Sequence, residues 1–160
     1  MIDKNQLFIT MNEEKIIKTC AFTGHRDLTD DFNAEELYES IETVIEGGAD
    51  TFYNGMAQGF DLIAAECVLH LKKKYPYIRL IACIPCLGQE KNFSAVDKER
   101  YVQILKRSDE QIILSEYYFK GCMQARDRYM ADRADILVAF CKKEKGGTAF
   151  TVQYFQKKYP

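Results

Sequence analysis

The feature that most constrains this chain is an alternation of short, apolar, β-rich runs with segments whose apolar residues recur at helical spacing. The runs are 16–23 (IIKTCAFT, ending at Gly24), 51–54 (ending at Gly55), 78–84 (closed by Pro85), 111–114 and 136–140. The helical segments are 33–45, stopped by Gly47 and Gly48; 60–74, ending before Pro76; 94–106, with Ser94 as N-cap; 123–133; and 148–158. Leu37, Ile41, Val44 and Ile45 share one face of the first helix, and Ile63, Ala64, Cys67, Val68 and Leu71 point inward from the second. Repeated strand–helix alternation requires parallel strands, right-handed crossovers and helices on both faces. The expected fold is α/β, a Rossmann-like three-layer sandwich with a mostly parallel sheet of about five strands. The chain of 160 residues is one domain's worth, with residues 1–15 expected as a loosely attached N-terminal segment.

A formal net charge of −2 argues against a dedicated nucleic-acid binder or an anionic-membrane binder, while leaving room for a local basic site. No apolar run is long enough to span a bilayer, and the first residues lack a signal peptide's basic start and apolar stretch, so a cytoplasmic location is expected. The cysteines are Cys20, Cys67, Cys83, Cys86, Cys122 and Cys141, several of them inside apolar runs, which reads as buried and reduced. Cys83 and Cys86 make a C-x-x-C around Ile-Pro, but no second pair or nearby histidine completes a ligand set. No metal site and no cofactor are therefore expected, and a redox pair is the weaker alternative.

Folds of this kind bind ligands beyond the carboxyl ends of the strands. Four segments fall there: Gly24-His25-Arg26; Gly55-Met56-Ala57-Gln58-Gly59-Phe60-Asp61; Arg126, near the start of its helix; and Gly146-Gly147-Thr148. Glycine lets backbone approach a ligand and adopt positive φ. The first amides of a helix are unpaired and suit a phosphate. A threonine hydroxyl can donate to a phosphate oxygen, and a guanidinium can grip one with two donors. Each piece also has a structural reading. Asp61 can cap its helix, Arg126 can pair with a carboxylate, and His25-Arg26 can be surface loop. Arg128 and Asp132 have helix ion-pair spacing. Arg133 and His70 read as structural, and the lysines at 72–74, 142–145 and 157–158 as solvated ends and loops.

At these positions the chain resembles the YpsA-like proteins of the SLOG superfamily. The likeness rests on TGHR at 23–26, NGMAQGFDLIAAE at 54–66, ARDRYMADRAD at 125–135 and GGTAFTVQY at 146–154, in that order. The GMAQGFD turn is similar to a G-x-A-x-G-x-D turn of the Smf (DNA-processing protein A) group, which implies Gly55, Ala57, Gly59 and Asp61 as binding residues. The helix with Arg126, Met130 and Asp135 is similar to the R-x-x-x-M helix of the Lonely Guy phosphoribohydrolases, which implies Arg126 as an active-site position. In those enzymes a catalytic glutamate follows the glycine-rich turn; here Gly146-Gly147-Thr148 runs into Ala149-Phe150-Thr151-Val152 without a carboxylate. The dinucleotide fingerprint G-x-G-x-x-G is absent as well.

The reading that follows is a non-catalytic module, a sensor or ligand-binding protein, for a nucleoside phosphate, ADP-ribose or an NAD derivative. The ligand-binding candidates are Gly24, His25, Arg26, Gly55, Ala57, Gln58, Gly59, Asp61, Arg126, Gly146, Gly147 and Thr148. The alternative is N-glycosidic hydrolysis of a nucleotide, for which Asp61 or Glu66 would have to supply the carboxylate beside Arg126. A third reading, by analogy with the Smf group, is single-stranded DNA binding, which the mild acidity opposes. The superfamily resemblance implies homodimers, with Tyr117-Tyr118-Phe119 or Tyr154-Phe155 as a surface unless these are core.

Overall fold

The strands form where β-branched and aromatic residues can be buried on both faces of a sheet. A computed structural model, described for residues 7–11 and 16–158, buries the central strands in this way and leaves residues 110–113 largely exposed, in a sheet of six strands. They are Leu7–Met11 (β1), Thr19–Gly24 (β2), Thr51–Asn54 (β3), Arg79–Ile84 (β4), Glu110–Ile113 (β5) and Ile136–Phe140 (β6). The α-helices are Ala34–Glu46 (α1), Phe60–Leu71 (α2), Ala95–Arg107 (α3), Cys122–Arg133 (α4) and Gly147–Lys158 (α5). The sheet order is β1-β6-β2-β3-β4-β5. β2 through β6 are parallel, as the alternation requires, and β1 lies antiparallel along β6.

β1 was not assigned from the sequence. It falls within the segment expected to be loosely attached, and Leu7 pairs with Phe140 and Met11 with Ile136. The run LFITM is itself apolar and β-prone, but its partner lies more than a hundred positions away, and that no local pattern reveals. The other boundaries differ by a few residues for visible reasons. β2 begins at Thr19, where Asp135 Oδ2 accepts the amides of Lys18 and Thr19 at 2.9 and 3.1 Å. Residues 72–74 leave the helix in a turn whose end is marked by the Tyr75 amide donating to Leu71 O at 2.8 Å. Ser94 does cap α3, accepting the Asp97 amide at 3.2 Å, and Asn33 caps α1 through the amides of Glu35 and Glu36.

Helices α1, α2 and α3 pack on one face of the sheet and α4 and α5 on the other. The first layer closes over Phe22, Phe52, Phe60 and Phe140, all buried, with the Phe22 and Phe52 rings stacked at 6.0 Å and Phe60 and Phe140 at 6.5 Å. Each such side chain contributes roughly 1.5–3 kcal/mol by leaving water. The second layer centres on Met130, Leu137, Val152 and Phe155. Phe155 is thus core, whereas Tyr117, Tyr118 and Phe119 are exposed beside β5.

The strand order reverses at β2. The chain steps outward through β3, β4 and β5, then returns to place β6 on the other side of β2. Gly24 is level with Phe140 in the parallel register. The turns leaving these two strands therefore depart at the same height toward opposite faces, which opens a crevice between them.

Candidate functional site

The turn after β6 is the open wall of that crevice. Gly146 has φ +110°, and a Cβ added at Gly146 or Gly147 would meet nothing within 4 Å. Gly147 opens α5, and Gly146 O already accepts the Phe150 amide at 2.9 Å. The amides of the first turn of α5 have no carbonyl one turn earlier to bond, so they and the positive end of the helix dipole face the crevice. Thr148 stands beside them, and Lys143 and Lys145 complete this wall.

His25 ties this turn to the one after β2. Its Nε2 accepts the Lys142 amide at 2.8 Å. Accepting there requires the neutral ring with its proton on Nδ1. Burial pushes its pKa below the usual 6.5, and the charges of Lys143 and Lys142 push the same way. The Lys142 ammonium is held by Asp31. His25 therefore lines the crevice as a structural brace with a neutral ring.

The turn after β3 is built differently. Asn54, fully buried, donates from Nδ2 to Asp61 O and accepts the Met56 amide on Oδ1, both at 2.8 Å. This clamp folds the turn back on itself and holds Met56 at φ +61°. Gly59 has φ +77°, and a Cβ there would lie 2.6 Å from His25 O. A Cβ on Gly55 would lie 2.8 Å from the Arg126 guanidinium, and one on Gly24 would enter the Phe60 ring. These three glycines admit protein atoms. Gln58 turns away and donates to Asp97 Oδ2 at 3.0 Å.

Arg126 enters from α4. Its Nε donates to Asp127 Oδ1 at 2.8 Å and its Nη1 to Gly55 O at 2.5 Å. It is 5% exposed, so two anchors fix a buried guanidinium whose remaining donors border the crevice. Asp61, also 5% exposed, accepts the Ala57 amide on Oδ2 at 3.2 Å, while its buried Oδ1 has no partner among the described residues. Burial pushes its carboxyl up to about 7, although Arg126 pulls it down.

Together these elements enclose a cleft of about 330 Å³, within the range of small-molecule sites. Of the residues singled out in the sequence, Gly24, His25, Arg26, Ala57, Asp61, Arg126, Gly146, Gly147 and Thr148 line it. Gly55, Gln58 and Gly59 do not; they support its walls. Glu66 is also outside, with its carboxylate engaged by Arg100 Nε at 3.2 Å, so it is not positioned as the missing carboxylate.

Sequence reasoning missed Thr23, Asp27, Met123, Asp127, Lys143 and Lys145, all of which line the cleft. Lys143 and Lys145 were grouped with solvated lysines because a lysine run in a loop carries no local sign of what it faces. Asp127 carries no local sign either, since residues adjacent in a helix do not ordinarily face each other. The expected Arg128–Asp132 pair is replaced by other partners: Asp132 accepts from Tyr154 Oη at 2.7 Å, and Arg128 lies over the Phe150 ring. In the C-x-x-C segment, the thiol that meets Cys86 is that of Cys122, not that of Cys83. No helix among the described residues is long and apolar enough to cross a membrane.

A likeness to solved structures concerns the fold. The chain is similar to DNA processing protein A from Helicobacter pylori, described for its single-stranded DNA binding mode, with a TM-score of 0.61 and 20% identity over 96% of this chain and 69% of that one. Closer sequence relatives are bacterial proteins without an assigned activity in their names. An uncharacterized SPbeta prophage-derived protein, YoqJ, from Bacillus subtilis is 36% identical over 68% of this chain and 70% of its own length. A UPF0398 protein from Halalkalibacterium halodurans is 28% identical over 78% of this chain and 66% of its own length. A UPF0398 protein from Bacillus pumilus is 26% identical over 71% of this chain and 62% of its own length. The family model described as the YspA SLOG family matches residues 22–159, a span that takes in every wall of the cleft, and the chain belongs to that family.

Proposed function

We propose that the chain binds a nucleoside phosphate or a nucleotide derivative such as ADP-ribose or an NAD derivative, as a sensor or ligand-binding module. The observation that carries this reading is the convergence on one cleft of the α5 N-terminus, the open Gly146-Gly147 turn, Arg26, Lys143, Lys145 and the braced Arg126. Helix amides and fixed guanidinium donors are the groups that recognise phosphate. Calorimetry against a panel of nucleoside phosphates, ADP-ribose and NAD tests it. Micromolar or tighter binding of at least one compound, weakened by Lys143→Ala/Lys145→Ala, is the expected result. Silence across the panel from folded protein contradicts it.

Two observations favour other uses of the same cleft. The buried Asp61 carboxyl, held near neutrality beside Arg126, has the ionisation of a general acid for N-glycosidic cleavage. Incubation with nucleoside monophosphates and NAD, with chromatography for free base, tests this; unchanged substrate excludes it. The fold likeness to a single-stranded DNA-binding protein supports a nucleic-acid ligand more than net charge alone suggests. A gel shift at low salt checks it, and binding that vanishes in Lys143→Ala/Lys145→Ala would place the strand in this cleft. The exposed Tyr117, Tyr118 and Phe119 are the surface that a second copy would cover in a homodimer, which sedimentation would reveal.

A further inference from the structure

The cleft is uneven in charge. The wall at the start of α5 offers Lys143, Lys145 and helix amides with no carboxylate among them, whereas the wall formed by α2 and α4 sets the carboxyl groups of Asp61 and Asp127 around the Arg126 guanidinium. Asp127 Oδ1 is occupied by Arg126 Nε. Asp61 differs: with Oδ2 on the Ala57 amide, its Oδ1 is the single buried side-chain oxygen or nitrogen without a partner among the described residues. Leaving a buried acceptor unpaired costs about 1–3 kcal/mol. Native structures keep few such atoms, and one in a residue that lines a cleft points to a partner that enters the cleft.

The chemistry of that partner is constrained. A phosphate oxygen brought to a carboxylate is repelled, so the anionic end of a ligand belongs at the α5 wall. In its ionised form, which prevails above about pH 7, Asp61 takes a donor, and a hydroxyl is the donor that a sugar phosphate carries close to its anionic end. Sites that hold ribose use a carboxylate in this way, accepting from the vicinal hydroxyls. We propose that Asp61 accepts a ribose hydroxyl of the bound ligand, so that the cleft selects ribonucleotides over their deoxy counterparts. This rests on the nucleotide reading above and adds to it the residue that sets sugar specificity.

Discrimination of this kind is large, because a ligand that lacks the hydroxyl leaves the buried acceptor unpaired. The test is calorimetric titration at about pH 8, where Asp61 is ionised, with EDTA present, of inorganic phosphate, ribose 5-phosphate, and ribonucleoside, 2′-deoxy- and 3′-deoxyribonucleoside 5′-monophosphates into parent and Asp61→Asn. The expected result is at least tenfold weaker binding of one deoxy series to the parent. In Asp61→Asn the amide oxygen stays on the Ala57 amide and an NH2 replaces Oδ1, so the ratio collapses to within about twofold while phosphate binding persists. Equal affinity of ribo and deoxy compounds for the parent overturns the proposal but leaves nucleotide binding standing. An unchanged ratio in Asp61→Asn removes Asp61 from the role. No binding by any compound, phosphate included, overturns both. If Asp61→Asn does not fold, the parent's ratio and its loss in Asp61→Ser decide the matter.

Discussion

The turn after β3, residues 55–59, and the turn after β6, residues 141–146, both lead from the carboxyl edge of the sheet into a helix through glycines, yet their glycines do opposite things. In the first, the space a Cβ would need is taken by Arg126 at Gly55 and by the His25 and Arg26 carbonyls at Gly59. In the second, Gly146 and Gly147 look onto empty volume flanked by Lys143 and Lys145. The same residue type is consumed by packing at one turn and left available at the other. Glycine content alone therefore does not mark where a ligand lies; what fills the missing side chain's place does. By that measure the glycines of the β3 turn are scaffold, and the β6 turn is the surface that the proposed anion would meet.

The largest expected effect lies where the β3 turn is anchored to α4. Arg126→Ala strands Asp127 and the Gly55 carbonyl, and should cost about 3 kcal/mol or more in urea denaturation as well as abolishing ligand binding. Gly59→Ala comes next, at roughly 2 kcal/mol, because φ +77° and the nearby His25 carbonyl both oppose a Cβ. A Gly59→Ala variant as stable as the parent would break the assignment of this turn to scaffold.

The pH dependence is the third effect. Asp61 titrates near 7 when folded and near its usual 3.8 when unfolded, so the unfolded chain releases the proton first. Its contribution is complete below about pH 4 and is lost as pH rises toward and through 7. Asp61→Asn should flatten that part of the stability profile. His25, whose pKa is lowered by burial, acts in the opposite direction, withdrawing stability as pH falls below about 6.5.

The β6 turn should show the reverse of the scaffold's behaviour. Lys143→Ala/Lys145→Ala should weaken nucleotide binding about tenfold, with stability within about 0.5 kcal/mol of the parent. Gly147→Ala should have the smallest effect on stability, also within about 0.5 kcal/mol, because its Cβ meets nothing, while crowding the anion's approach. If it instead unfolds the protein while leaving affinity intact, the contrast between the turns is wrong.

Most of the fold was legible because helical spacing and strand-end glycines are local signals. The bounds 51–54 and 136–140 emerge directly from composition. The place of β1 in the sheet was not legible, since its short run LFITM is β-prone but says nothing of its antiparallel pairing with β6. Much of the candidate site was legible too, because the topology collects strand ends wherever their sequence positions lie. What could not be read were directions. Asp127 reaches the cleft beside Arg126, Gln58 turns to Asp97, and Glu66 is drawn off by Arg100. Gln58 and Glu66 depend on partners 39 and 34 positions away and Asp127 on the exact rotation of a helix, neither of which a linear pattern records. Asn54, whose amide shapes the β3 turn, is likewise visible only through what it bonds.

The most direct measurement is residue-resolved amide NMR during titration with a ribonucleoside 5′-monophosphate. The amides of Gly146, Gly147 and Thr148 and the Arg126 side chain should move most, and those of Gly55 and Gly59 should follow weakly. Shifts concentrated at the exposed β5 edge, or in the β3 turn with 146–148 unmoved, would contradict the account.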